Sequence, residues 1–218
     1  MQMTDRGLLA LVRHEGIVPG SYLDVAGVWT FGIGHTAAAG SPDPARMVRG
    51  MPADLDAGIR EAFTVFRADL VTYEAAVRRV VTVPLEPHEF DALVSFHYNT
   101  GGIARAALTK HLNAGNRAAA AEAFMGWLKP AVIRSRREAE RDLFRHGRYP
   151  TGTIPVWAVD RNGRVDFSRP VKRLSDAEAL ALLRPASLSV PQPVPSLPVV
   201  APSWWQRLME FLKGKTIS

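Results

Sequence analysis

Between residues 54 and 81 the chain places Leu55, Ile59, Ala62, Phe63, Phe66 and Leu70 at intervals of three and four, with polar residues between them. That spacing keeps apolar side chains on one helix face, so the stretch predicts a long amphipathic helix. "EPHEFDALVSFHYNTG" reads as another, opened by Pro87 and closed by Gly101-Gly102. Shorter helical patterns follow at about 104–114, 116–128 and 132–146. At the N-terminus "TDRGLLALVRHEG" predicts a helix capped by Thr4 or Asp5 and stopped by Gly16. The period then changes. Residues 17–35 mix Pro19-Gly20, Gly27, Gly32 and Gly34 with β-branched and aromatic residues, which predicts a small irregular sheet.

Past residue 148 the pattern changes again. Ile154 to Val159 is β-like, and Asn162-Gly163 is a tight-turn signal before Arg164 to Phe167. "SDAEALALLR" has Ser175 as N-cap with Glu178 at capping-box spacing. Residues 185–202 form a proline-rich linker, extended and semi-rigid. In "WWQRLMEFLKGK", Trp204, Trp205, Leu208, Met209, Phe211 and Leu212 fall within one helical arc. The expected organisation is therefore a main domain over 1–148, rich in helical patterns, a hairpin and short helix over 149–184, the linker, and an amphipathic helix over 203–218. No internal repeat is visible.

Composition narrows the picture. With 218 residues, 47% of them apolar, the chain is long enough for one sizeable core and an appendage. Cysteine is absent, which excludes disulfides, a Cys-based zinc site and a thiol nucleophile. The first sixteen residues carry no export signal, and no apolar run approaches the roughly 20 residues of a membrane span. The net charge of +6 favours anionic partners. Nucleic acid is not expected among them. In "IRSRREAERDLFRHGRYP" Glu138, Glu140 and Asp142 interleave with the arginines at the spacing of a solvated, salt-bridged face.

"LVRHEGIVPGSYLDVAGVWTFGIGHT" carries the candidate chemistry. It sets Glu15 at a helix end, Asp24 nine residues later, Thr30 six further on, and His35 at the close of a glycine-laced run. Glycoside hydrolysis needs a carboxyl that donates a proton and a second that stabilises positive charge or activates water. A helix end followed by a hairpin offers both. Spacing alone favours a plainer reading, a capping Glu, a turn Asp and a strand Thr.

Glu, eight residues, Asp, five residues, Thr, within "HEG…Y.D..G.WTFGIGHT", resembles the active-site signature of the phage-type lysozymes, glycoside hydrolase family 24. "ADL" at 68–70, "FDALVSFHYNTG" at 90–101, "LNAGN" at 112–116 and "RSRREAERDLF" at 134–144 follow in the family's order and resemble lambdoid phage and prophage endolysins. The resemblance covers about residues 4–148. It implies an α+β, lysozyme-like fold in which a small sheet lobe and a helical lobe are joined by a long helix, with a C-terminal extension added.

The resemblance also assigns roles. Glu15 stands at the general acid, Asp24 at the second acid (Cys in some relatives) and Thr30 at the hydroxyl that positions water. His35 stands at a structural histidine whose partner is Asp69. Arg136, or its neighbour Arg137, aligns with an arginine that pairs with the catalytic Glu, and Asn99 with an amide lining the sugar cleft. Asn99 also fits a helix C-cap. The implied reaction is hydrolysis of the β-1,4 bond between N-acetylmuramic acid and N-acetylglucosamine in peptidoglycan, with inversion and with no metal or organic cofactor.

Two rivals stand beside it: a lytic transglycosylase, and a non-catalytic wall-binding virion protein. The intact Glu15, Asp24 and Thr30 set favours hydrolysis. A monomer is expected, made in the bacterial cytoplasm and reaching the wall after holin-type release. Residues 203–213 offer an apolar stripe for docking on the catalytic domain itself, or for an anionic membrane surface or a partner protein, and a recognition role away from the catalytic domain is expected.

Overall fold

The computed structural model describes residues 1–129 and 131–184. The expected proline-rich linker and C-terminal amphipathic helix lie outside the described residues. The architecture is α+β. The described residues form two compact units, one holding Met1–His14 and Tyr73–Thr151, the other holding Glu15–Thr72 and residues 152–184. Helix α1 (Asp5–Glu15) and helix α2 (Leu55–Val80) each contribute residues to both.

In the first unit, α1 starts where Thr4 Oγ1 accepts a hydrogen bond from the Gly7 amide at 3.0 Å. This satisfies one of the orphan donors of a helix start. Helix α3 (Pro87–Thr100) opens with a capping box between Glu86 and Glu89 and closes at Gly101 in the left-handed region. It is buried along almost its whole length. Around it pack α4 (Ala107–Asn113), α5 (Arg117–Ala123) and α6 (Arg134–His146). Phe96 meets the rings of Phe124 and Trp127 edge-on at 5.5 and 5.3 Å, the favoured aromatic geometry. Asp91, fully buried, accepts from the Thr4 amide at 2.9 Å, the Thr4 hydroxyl at 2.5 Å and the Tyr149 hydroxyl at 2.7 Å, tying both ends of this unit to α3.

Helix α6 differs from its expected character. Arg136, Arg137 and Glu140 are not on a solvated face but buried, at 6%, 0% and 1% exposure. The same turns also carry Ile133, Leu143 and Phe144, whose burial draws that side of α6 onto α3. Solvated ion pairs of α6 include Arg134–Glu138 at 3.7 Å, Arg141–Asp142 at 3.5 Å and Arg145–Glu122 at 2.6 Å.

The second unit holds an antiparallel meander, β1 (Val18–Leu23), β2 (Trp29–Gly32) and β3 (His35–Thr36). Tyr22 pairs with Thr30 and Phe31 with His35, and β1 is irregular between Val18 and Ser21. Phe31 and Ile33 are buried, as are Ile59, Phe63 and Phe66 of α2. The segment after residue 151 is a twisted hairpin. Strand β4 (Ile154–Val156) pairs with β7 (Lys172–Leu174), and β5 (Ala158–Val159) pairs with β6 (Val165–Asp166). Ile17 bridges Val156 in parallel, so this hairpin packs against the meander. Helix α7 (Asp176–Leu183) follows, with the capping box between Ser175 and Glu178 formed.

Candidate active site

Glu15 is the last residue of α1. Gly16 ends the helix at φ +71°, a conformation that favours glycine, and turns the chain into β1. Asp24 opens the β1–β2 turn. Its Oδ1 accepts the amides of Ala26 and Val28, both at 2.8 Å, and its carbonyl accepts the Gly27 amide at 2.9 Å. A carboxylate that takes two backbone N–H bonds is fixed in direction by the turn itself. Asp24 is buried to 9% exposure. Thr30, fully buried on β2, donates to the Val28 carbonyl at 3.1 Å, so Asp24 and Thr30 share Val28 as a common anchor.

Tyr22, paired with Thr30 across the ladder, was not among the residues the sequence pointed to. Burial first, and then the negative charges of Glu15 and Asp24, hold its phenol above the ordinary tyrosine value. The phenol therefore keeps its proton at neutral pH. Its signal in the sequence is the hairpin register, which puts residues 22 and 30 on one face once the Asp24–Gly27 turn is recognised.

His35 is buried at 1% exposure on β3. Its Nδ1 lies 2.9 Å from Asp69 Oδ2 and 3.2 Å from Oδ1, and its Nε2 lies 2.8 Å from the Pro42 carbonyl oxygen. A carbonyl only accepts, so Nε2 carries a proton, and Nδ1 donates to the carboxylate. Burial pushes the His35 pKa down. The hydrogen bond and charge of Asp69 and the carbonyls of Pro42 and Gly40 outweigh it, and the net direction is upward. The pair joins β3 to α2 within the sheet-bearing unit.

Glu15, Tyr22, Asp24, Thr30, His35 and Asp69 therefore all belong to one unit. Asn99 and Arg136 belong to the other. There Arg136 Nε donates to Glu140 Oε1 at 3.0 Å and its Nη2 to the Ser95 carbonyl at 3.3 Å. Arg137 pairs with Glu140 and with Asn99 Oδ1 in short contacts, and Ser95 Oγ donates to Glu140 Oε1 at 2.8 Å. Ser95 and Glu140 are the members of this buried polar network that sequence reasoning missed. His14, half-buried at the end of α1, is pushed to a pKa of about 3 by burial and then by the Arg136, Arg137 and Arg13 charges. It stays neutral at any pH near 7. Among the described residues, no group of three or more His, Asp or Glu is placed to hold a metal ion.

A helix-end carboxyl, a turn-held carboxylate and a buried strand hydroxyl thus belong to one unit of an α+β fold. Residues 12–140 match the family model for phage lysozyme. The endolysin of Salmonella phage P22 is 35% identical over 150 residues, spanning 66% of this chain and 98% of that protein. The endolysin of Acyrthosiphon pisum secondary endosymbiont phage 1 is 31% identical over 156 residues, spanning 66% of this chain and 98% of that protein. Among solved structures, the endolysin from Escherichia coli O157:H7 phage FAHEc1 superposes with a TM-score of 0.59 at 30% identity, covering 69% of this chain and 98% of that one. The chain belongs to the phage lysozyme family.

Proposed function

We propose that this chain is an endolysin-type muramidase, hydrolysing the β-1,4 bond between N-acetylmuramic acid and N-acetylglucosamine in bacterial peptidoglycan. Glu15 is the general acid that protonates the departing glycosidic oxygen. Asp24 and Thr30 hold and activate a water on the other face of the sugar, and the product anomer is inverted. Tyr22, whose phenol burial and the two negative charges hold above the ordinary tyrosine value, stays un-ionised throughout. The observation that supports this reading is that Glu15 at the end of α1 and Tyr22, Asp24 and Thr30 of the following hairpin belong to one unit, with Tyr22 paired to Thr30.

Family membership and the P22 relative's name support peptidoglycan as substrate. The basic net charge of +6 suits an anionic envelope. We also infer synthesis in the host cytoplasm and access to the wall through a separate membrane-permeabilising partner, with residues 203–213 meeting an anionic membrane. The test is Glu15→Gln, an isostere that removes only the acid. Turbidity loss of purified cell walls falls by about 100-fold or more, the range of a lost general acid, while the melting temperature is kept. Lysis near the wild-type rate refutes the assignment. Mass spectrometry of the products decides against hydrolysis if anhydro-muramic ends appear.

A further inference from the structure

We propose that residues 152–174, outside the family match at 12–140, are a positioning brace for the catalytic hairpin, with Trp157 and Gly163 as its points of contact. The inference rests on the roles proposed above for Glu15, Asp24 and Thr30. Each of those three residues has a chain neighbour held by this one segment.

Just after Glu15, the Ile17 amide donates to the Pro155 carbonyl at 3.2 Å, and the Trp157 amide donates to the Ile17 carbonyl at 2.8 Å. The Trp157 indole also lies over Gly16, so closely that a Cβ there would stand 3.0 Å from Nε1. Just before Asp24, the Leu23 amide donates to the Gly163 carbonyl at 2.8 Å. Just before Thr30, the Trp29 ring rests on Gly163, where a Cβ would come within 2.7 Å of a ring carbon. The Arg49 guanidinium lies over the same ring at 3.3 Å from its centroid.

The brace is itself held rigidly. Gly163 sits at φ +80°, a conformation that a side chain would strain. Its turn is set by Asp160 Oδ1, which accepts the Asn162 amide at 2.8 Å and the Arg164 amide at 2.9 Å. Trp157 is met by Phe167 at 5.4 Å between centroids in an edge-on contact. Ile154, Val156 and Val159 anchor the base, at 0%, 0% and 4% exposure. Positioning matters because a misplacement of about 1 Å in a catalytic group costs up to roughly 100-fold in rate.

The experiment compares Trp157→Ala, Trp157→Phe and Phe167→Ala in the full chain, measuring kcat, KM, the pH–rate profile and the melting temperature on purified peptidoglycan. A positioning role lowers kcat with little change in KM, because the loss falls on the transition state. Trp157→Ala then lowers kcat about 10-fold well below its melting temperature and moves one limb of the pH–rate profile, and Trp157→Phe restores most of the rate. Phe167 is 67% exposed, so Phe167→Ala keeps the core. It lowers kcat about 3-fold at an unchanged melting temperature, and it decides the matter if Trp157→Ala does not fold. Wild-type kcat and pH profile in the folded variants overturn the brace. Glu15→Gln runs beside them. If it is inactive while the brace variants are fully active, only the brace fails; if it is active, the catalytic reading fails first.

Discussion

His97 gives the helical unit a specific acid weakness. It lies on α3 at 3% exposure, its ring meets Tyr73 edge-on at 5.4 Å, and among the described residues no hydrogen-bond partner faces either ring nitrogen. Burial, and then the Arg79 and Arg105 charges, push its pKa from 6.5 to about 4. The folded state therefore refuses a proton that the unfolded chain accepts. Above pH 6.5 neither state binds it and nothing is lost; as pH falls from about 6.5 to about 4, stability drains toward the unfolded state; below that the loss is complete. A gap of this size amounts to roughly 3 kcal/mol in full and about 2 kcal/mol at pH 5.

Urea unfolding at pH 8 and pH 5 reads the loss, and His97→Leu removes the group while keeping an apolar fill. His14, with a pKa of about 3, and the carboxylates titrate in both proteins, so the difference between the two pH dependences isolates His97. The wild type loses about 2 kcal/mol more than His97→Leu across that interval. Equal losses in the two proteins, or NMR ring signals of His97 that titrate near 6.5, refute the reasoning.

Glu140→Ala strands the buried Arg136 and Arg137 guanidiniums and costs roughly 3–5 kcal/mol in urea unfolding, whereas an exposed control, Glu138→Ala, changes little. His35→Asn breaks the Asp69 contact and lowers the melting temperature more than it lowers activity in the cold; a lost turnover in a protein of unchanged stability contradicts that. Because the His35 pKa is raised, its contribution is complete below about pH 6.5 and fades as pH climbs through the higher folded value, so the penalty of the substitution shrinks toward alkaline pH. Thr30→Val keeps the shape of the buried side chain but removes the hydroxyl, and kcat falls about 10-fold or more while Thr30→Ser retains most of it.

The long helix was legible because Leu55, Ile59, Phe63 and Phe66 repeat on one face, and α2 (Leu55–Val80) differs from the expected 54–81 by one residue at each end. The Ser175–Glu178 capping box was legible for the same reason, since everything it needs lies within four residues. Helix α5 is shorter than its pattern suggested. It passes at Phe124–Gly126 into a tighter turn, where Gly126 weakens the helix. In the site, Glu15, Asp24 and Thr30 stood out as a spaced set, while Tyr22 read as an ordinary strand aromatic. Arg136, Arg137 and Glu140 have the same three- and four-residue spacings whether a helix face is wet or dry. Only the packing of α6 on α3 decides between them, and that contact is remote in sequence.

The same remoteness explains the segment after residue 151. Its alternation announces strands, but not which edge they cover. Strand β1 follows directly on the candidate acid, and an uncovered strand edge is both adhesive and free to shift. Strand β4 and the turn between β5 and β6 are placed against it, through the Ile17–Val156 bridge and the Leu23–Gly163 hydrogen bond. Ile154, Val156, Val159, Leu174, Ala179 and Leu183 are each at most 4% exposed, so this segment supplies core rather than decoration. A fully buried Val, Leu or Ile contributes about 1.5–3 kcal/mol, and several together rival the whole margin of about 5–15 kcal/mol that keeps a domain folded. The unit that carries Glu15 and Asp24 is thus assembled from two stretches of chain, 15–72 and 152–184, with the residues of the helical unit between them. Its geometry depends on strands that lie beyond the matched family region.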